Sequence, residues 1–340
     1  MFAKICNLFW IVWKDLKDTG LLFLQKAKEL WKQTSLSLGQ TLALFIPTFV
    51  FLYYFIGGML IHNIDTSASV YKPSTDGNKS AVVDMSAYLI RREVKDNLWT
   101  PSLPFLFPSY FLDDMPNFQR GLMSAVNKTI SALNSSALIQ NEPNDHLQQA
   151  AQFLKYPSNV WLFSPKNNLM PAPSSATQYK KGRKELNRFN DEFSLKHVAF
   201  ELSAQNLAKI LTPLAKDLSS LEVKTESYIR ENAKSFIDTK ADDTFYFARG
   251  KLYAYEMLFR ALGLDFKEVL VQTNTYAEWT SLIKDFESAA DLNPTFVRDG
   301  KLNSSIAPNH LATINYLNLK AYTRLKNIIQ LLENFSKEQK

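Results

Sequence analysis

The stretch DDTFYFARGKLYAYEMLFRALG, Asp242–Gly263, decides the fold. Phe245, Ala248, Leu252, Tyr255, Phe259 and Leu262 recur in it at steps of three and four. That spacing gathers side chains on one face of a helix, not on alternate faces of a strand. Asp242 stands where an N-cap belongs and Gly263 where a C′ residue belongs, so an amphipathic helix is predicted between them. Arg249 falls between Phe245 and Leu252 on the seam side. A guanidinium buried there needs a carboxylate partner or a bound anion.

The same rhythm returns in Leu311, Ile314, Asn318, Ala321, Leu325, Ile328 and Leu332. Asn318 is the polar member of that seam, and a lone polar residue in a seam fixes register. The longest stripe is Phe193, His197, Phe200, Ala204, Leu207, Leu211, Leu214, Leu218 and Leu221, with Pro213 inside it predicting a kink. His197 on this stripe reads as a neutral imidazole with one hydrogen bond, or more sharply as a buried pH-sensitive group. Shorter helices are predicted over Ser80–Leu98 and over Asp114–Leu138, the second with Asp114 capping and Pro116 in its first turn. Several such seams in one chain argue for antiparallel partners within the molecule.

Glycine supports this reading. The chain of 340 residues holds 10 glycines, less than half the usual share of about 7%. Folds that depend on left-handed turns or phosphate loops are correspondingly disfavoured. Gly121, Gly182 and Gly250 interrupt helical stretches that have no local use for glycine, which predicts close helix contacts at those points. The connections Thr100–Leu112 and Tyr156–Gln178 hold seven of the fourteen prolines and are apolar, as in PFLFP, Pro104–Pro108. They are expected to pack over the bundle or to offer a docking surface.

From Gln33 to Ile64 there is no Asp, Glu, Lys or Arg, and the centre of the run, LALFIPTFVFLYYFIGGMLI, Leu42–Ile61, is twenty residues long. At 1.5 Å per residue that length spans a hydrocarbon core. A signal peptide has a shorter apolar core near the start of the chain, so an uncleaved anchor is expected. Six lysines against three acids before the span favour a cytoplasmic tail. Within that tail the run ICNLFWIVW, Ile5–Trp13, is too short to cross a bilayer. With Trp10, Trp13 and Trp31 beside Lys14, Lys17 and Lys32, it reads as a helix on the membrane surface. The expected organisation is an amphipathic tail over 1–40, a transmembrane helix over 41–62, a tether over 63–79 and a helical domain over 80–340.

Chemistry leaves little trace. There is no glycine-rich phosphate loop, no G-x-S-x-G elbow and no H-E-x-x-H pair. The four histidines are scattered, and one cysteine excludes both an intramolecular disulfide and a cysteine-built zinc site. The pairs Asp113-Asp114 and Asp242-Asp243 precede helices and read first as caps. The net charge of +6 has no dense basic block, so nucleic acid is not an expected partner. No catalytic residue, metal site or cofactor is assigned.

Three segments together carry a resemblance. They are Asp113-Asp114-Met115-Pro116-Asn117-Phe118 with Gly121, Phe245-Tyr246-Phe247-Ala248-Arg249-Gly250 through Arg260-Ala261 to Asp265-Phe266, and Asn309-His310-Leu311 with Asn315-Tyr316. In this order they resemble the blocks of the proteobacterial domain of unknown function 2333 family, with Asp114 and Phe118 where that pattern has Asn and Trp. The resemblance implies a Gram-negative inner membrane, a periplasmic outer domain and no particular reaction. It directs attention to Arg249, Asn309 and His310 as ligand-binding candidates, against a structural role in which Arg249 bridges to a carboxylate and Asn309 caps. The expected fold is all-α, a single N-terminal transmembrane helix followed by an antiparallel helical-bundle domain with long proline-rich loops. The expected partners are the lipid bilayer and an envelope protein. A scaffold or adaptor leads, a ligand-binding or sensory module with an anion near Arg249 is the alternative, and an unrecognised hydrolase is the minor one.

Overall fold

Ten α-helices and no strand occur among the described residues of the computed structural model, which describes residues 25, 38–70, 78–135, 145–162, 171–232, 240–294, 297 and 309–339. The chain divides between Ile56 and Gly57 into two compact units. Helix α1, Leu38–Ile61, contains Pro47 and crosses that boundary. Only 6% of its most apolar window is buried inside the protein, and it is long and apolar enough to cross a membrane. Pro47 has no N–H to give the helix, while Thr48 donates its hydroxyl to the Leu44 carbonyl at 2.8 Å. Such local satisfaction of polar groups is what hydrocarbon demands. The predicted surface residues Trp10, Trp13, Lys14, Lys17, Trp31 and Lys32 lie outside the described residues.

In the larger unit the helices are α2 (Ala81–Arg91), α3 (Asp114–Ser135), α4 (Asp145–Leu154), α5 (Ser175–Ser194) and α6 (Ala204–Asn232). They are followed by α7 (Ala241–Asp265), α8 (Lys267–Gln272), α9 (Tyr276–Ala290) and α10 (His310–Glu338). The stretch that decided the fold is the central helix. α7 is buried along most of its length and packs on α2, α3, α9 and α10. All six of its predicted seam residues are buried, as are all seven in α10. Asn318, 1% exposed, donates its amide to the Leu218 carbonyl at 3.0 Å and so sets α10 against α6.

Neighbouring helices are mostly antiparallel. Asp265 near the end of α7 meets Ser80 and Ala81 at the start of α2, while Arg92 at the end of α2 meets Tyr253. The contacts of Glu278 and Asp285 on α9 with Arg324 and Lys320 on α10 run the same way. Two pairs run in the same direction: α3 and α7 start side by side, with Asn117 paired to Asp243 and Phe118 on Gly250, and α10 also starts beside α7, with His310 against Phe245. Between α3 and α7 the predicted glycines are required. A Cβ at Gly121 would collide with the Phe247 carbonyl oxygen, and one at Gly250 with the Phe118 carbonyl oxygen. Backbone rests on backbone, the closest approach two helices can make. At Gly182 the neighbour is a side chain instead: a Cβ there would stand 3.1 Å from a Leu154 methyl.

Four expectations need correction. The stripe from Phe193 to Leu221 is two helices, because Lys196 takes φ 59° and Ser203 restarts the chain by accepting from the Asn206 N–H at 3.2 Å. Phe193 then folds back onto Phe200, ring centroids 5.4 Å apart, and His197 is exposed in the turn, not on a buried stripe. Gly263 is inside α7, where a Cβ would strike the Trp279 indole, and α7 continues to Asp265. Asp242 is likewise inside the first turn, with Lys240 at the cap position. The helix from Ser80 is capped and ended as expected, Ser80 accepting from the Val83 N–H at 3.4 Å and Leu98 taking φ 61°, with a π-turn at Arg92–Asp96 before the end.

The residues after α1 are more than a spacer where they are described. Ile64 and Ala68 pack on the core, and the Asp65 carbonyl accepts from Arg92 at 3.3 Å.

Candidate functional site

Co-directional packing of α3 and α7 places two helix N-termini together, each with positive dipole and bare N–H groups. The sequence answers with acids. Asp113, Asp114 and Asp242 bring carboxylate oxygens within 4.8 Å of one another, and Asp243 joins them through Asn117. Arg120 donates to the Asn117 side-chain oxygen at 3.2 Å and lies near Asp243. Burial pushes the Asp114 carboxyl up to about 6, helped by repulsion from Asp113 and Asp242 and opposed by its bond to the Tyr246 hydroxyl. Burial raises Asp242 and Asp243 as well, again with Asp113 adding to it. Tyr246 is pushed up to about 12, first by burial and then by Asp114. An oxygen set of this kind suits a hard divalent cation, and it also answers two helix dipoles.

Arg249 lies one turn further along α7, at 4% exposure. Its guanidinium carbon sits 6.0 Å from the Tyr246 ring centroid, within cation–π range. Nε donates to the Ala290 carbonyl at 2.9 Å, Nη1 to Asn293 Oδ1 at 3.0 Å and Nη2 to Thr66 Oγ1 at 3.5 Å. Ala290 is the last residue of α9, so a cation meets the negative end of a helix. Among the described residues no carboxylate stands within ion-pair distance of Arg249. Burial lowers its pKa, with Tyr246, Asp291 and Asp114 pulling the other way. Its three nitrogens therefore find oxygen acceptors without an anion, and the nearest charges are carboxylates, which repel one.

Asn309 caps α10, accepting from the Ala312 N–H at 2.7 Å. His310 opens that helix with its ring 6.5 Å from Phe245, edge to face. The hydrogen bonds of Arg249 go to Ala290, Asn293 and Thr66, and not to Asn309 or His310. The acidic group is what the sequence reading missed as a group. Both pairs were visible, each assigned to its own helix start, and adjacency in space is not a sequence property.

Several other buried charges are engaged by side chains of the same turn or of a neighbouring helix. Arg92 holds Glu93 at 2.6 Å and the Tyr253 hydroxyl at 2.6 Å, and Gln119 donates to Glu93 at 3.1 Å. Lys251 and Tyr255 both reach one oxygen of Asp217 at 2.7 Å.

The fold and these contacts define a helical domain preceded by a helix capable of crossing a membrane, with its buried charges engaged in architecture. The chain belongs to the family described as an uncharacterized protein conserved in bacteria (DUF2333), whose model matches residues 103–334. All three sequence blocks fall inside that match. No curated protein and no solved structure matches the chain.

Proposed function

We propose that this protein is a membrane-anchored scaffold or adaptor of an envelope complex in the bacterial inner membrane, its N-terminal tail cytoplasmic and its helical domain periplasmic. The observation that carries the reading is α1. It is 24 residues long, carries no charge and is almost uncovered by protein, and a larger compact unit, Gly57–Lys340, begins within its last residues. A soluble protein would pay heavily in hydration to leave so large an apolar surface bare, and a bilayer removes that cost. The bonds of Arg92 to Tyr253, of Gln119 to Glu93, of Lys251 to Asp217 and of Arg249 to the Ala290 carbonyl join different helical segments and support an architectural role over a catalytic one. The lysine excess of the tail supports the orientation.

An alkaline-phosphatase fusion at the C-terminus tests the topology and in-cell crosslinking tests the role. Phosphatase activity and a reproducible envelope partner are expected. An inactive fusion places the domain in the cytoplasm, and a protein that stays uncrosslinked with several reagents is no scaffold.

A further inference from the structure

The segment Asn97–Leu112 contains no Asp, Glu, Lys or Arg. Part of it is core: Trp99, Pro101, Pro108 and Ser109 are buried. The remainder turns outward, with Phe111 70% exposed and Phe105, Leu106 and Tyr110 each more than half exposed. Phe107 stacks edge-on against Trp161 at 6.1 Å, which extends the apolar surface to the exposed Leu162. A patch of this kind in water is unfavourable and marks an interaction site.

Its position says what covers it. Gly57 and Gly58, in the closing turn of α1, belong to the larger unit. A Cβ at Gly57 would collide with the Pro108 ring, and one at Gly58 would touch Leu112 at 3.7 Å. Pro108 and Leu112 therefore lie against the last residues of the apolar helix, and the outward aromatic residues are their near neighbours in the chain; aromatic belts occupy membrane–water interfaces at the ends of such helices. The backbone of the segment suits an interface too. Pro101, Pro104 and Pro108 have no N–H to satisfy. Leu103, Phe107, Tyr110 and Leu112 donate theirs to the carbonyls three residues back. Polar groups satisfied inside the turn need little water. The charges begin again at Asp113, at the rim.

We infer that Leu103–Leu112 is a second membrane contact, an apolar loop that lies in the interfacial layer of the bilayer beside the exit of α1 and holds the helical domain close against the membrane. The inference rests on the anchoring of α1 proposed above and adds to it a site, a depth and an occupant, the acyl–headgroup boundary of the lipid.

The test uses the full-length protein in nanodiscs of phosphatidylethanolamine and phosphatidylglycerol. Nitroxides are placed at single cysteines, Phe105→Cys, Phe111→Cys, Phe51→Cys and Val223→Cys, in a Cys6→Ser background, with Leu106→Cys replacing either loop variant if it does not fold. Each label's collision rate with oxygen is compared with that of a water-soluble nickel chelate. Phe51 lies within α1 and Val223 is exposed on α6, so they mark lipid and water. Labels at Phe105 and Phe111 are expected to favour oxygen several-fold over the Val223 label. Loop labels that behave like Val223 while Phe51 favours oxygen overturn the inference and leave the anchor standing. A Phe51 label that favours nickel overturns both. Dipolar broadening between loop labels of two copies overturns the inference by giving the patch to a second copy of the chain.

Discussion

Gly121→Ala and Gly250→Ala test the crossing on which the larger unit is built. A methyl at either position meets backbone, not a side chain that can turn away. The Gly121 Cβ overlaps the Phe247 carbonyl and stands 2.9 Å from the Lys251 nitrogen, and the Gly250 Cβ stands 2.7 Å from the Phe118 carbonyl carbon. Relief to ordinary contact, about 3.5–4.0 Å, requires α3 and α7 to part by about 1.5–2 Å. Overpacking typically costs about 1–3 kcal/mol, and against rigid backbone the upper end applies. Alanine returns about 1 kcal/mol through its better helix propensity. The net loss is about 1–2 kcal/mol per site. At about 2–4 °C per kcal/mol for a domain of this size, Tm falls by about 2–8 °C. The double variant should lose less than the sum, because one separation relieves both contacts. Gly182→Ala is the control. Its neighbour is the tip of Leu154 at 3.1 Å, which can move, so stability should stay within about 1 kcal/mol of the parent. The assay is thermal unfolding of the full-length protein in detergent, followed at 222 nm. A Tm for Gly121→Ala or Gly250→Ala at or above the parent value would refute the close crossing.

Two further outcomes follow from the buried ionisable groups. Arg249→Met should destabilise by about 1–3 kcal/mol, because it leaves the Ala290 carbonyl buried without its donor. Inorganic phosphate should not raise the Tm of the parent protein, and a rise that Arg249→Met abolishes would bring back the anion-binding reading. The pH profile concerns Asp265, which accepts from Ser80, Ala81 and Val82, yet burial outweighs those bonds and lifts its carboxyl to about 6. Burial likewise lifts Glu256 to about 7, against its bond to Arg260. Between the ordinary carboxylate range and these values the folded state binds more protons than the unfolded one, so stability falls as pH rises through that window and levels off above it. Asp265→Asn should reduce the slope of the lower part of the urea-unfolding profile, which Asp114 shares, while Glu256 keeps the upper part, and an unchanged slope would remove Asp265 from this account.

Much of the architecture was legible before any coordinates. Phe245 to Leu262 and Leu311 to Leu332 carry enough apolar residues at helical spacing that local preference and burial point the same way. Glycine scarcity led to the same helices, and its exceptions at Gly121, Gly182 and Gly250 proved to be contacts. The errors fall where a single residue's backbone or a distant side chain overrides the pattern. Lys196 in the left-handed region ends a stripe that periodicity alone would continue, which moves His197 from core to surface. Gly263 looked like a terminator because the indole of Trp279, sixteen residues later, is not visible from its neighbours in sequence.

What the sequence determined by itself is therefore what short-range chemistry controls: which segments are helical, which face of each is apolar, and that one of them is long, apolar and uncharged enough for a bilayer. Only the tertiary structure decided which helix ends meet. It set α3 and α7 side by side in the same direction, gathered Asp113, Asp114, Asp242 and Asp243 at one end, and gave Arg249 a helix C-terminus in place of a carboxylate. It also brought Pro108 under Gly57, and with it an apolar loop to the end of the apolar helix. The reason is physical. Periodicity and propensity act over a few residues, whereas the pairing of helices depends on how all the buried faces fit at once.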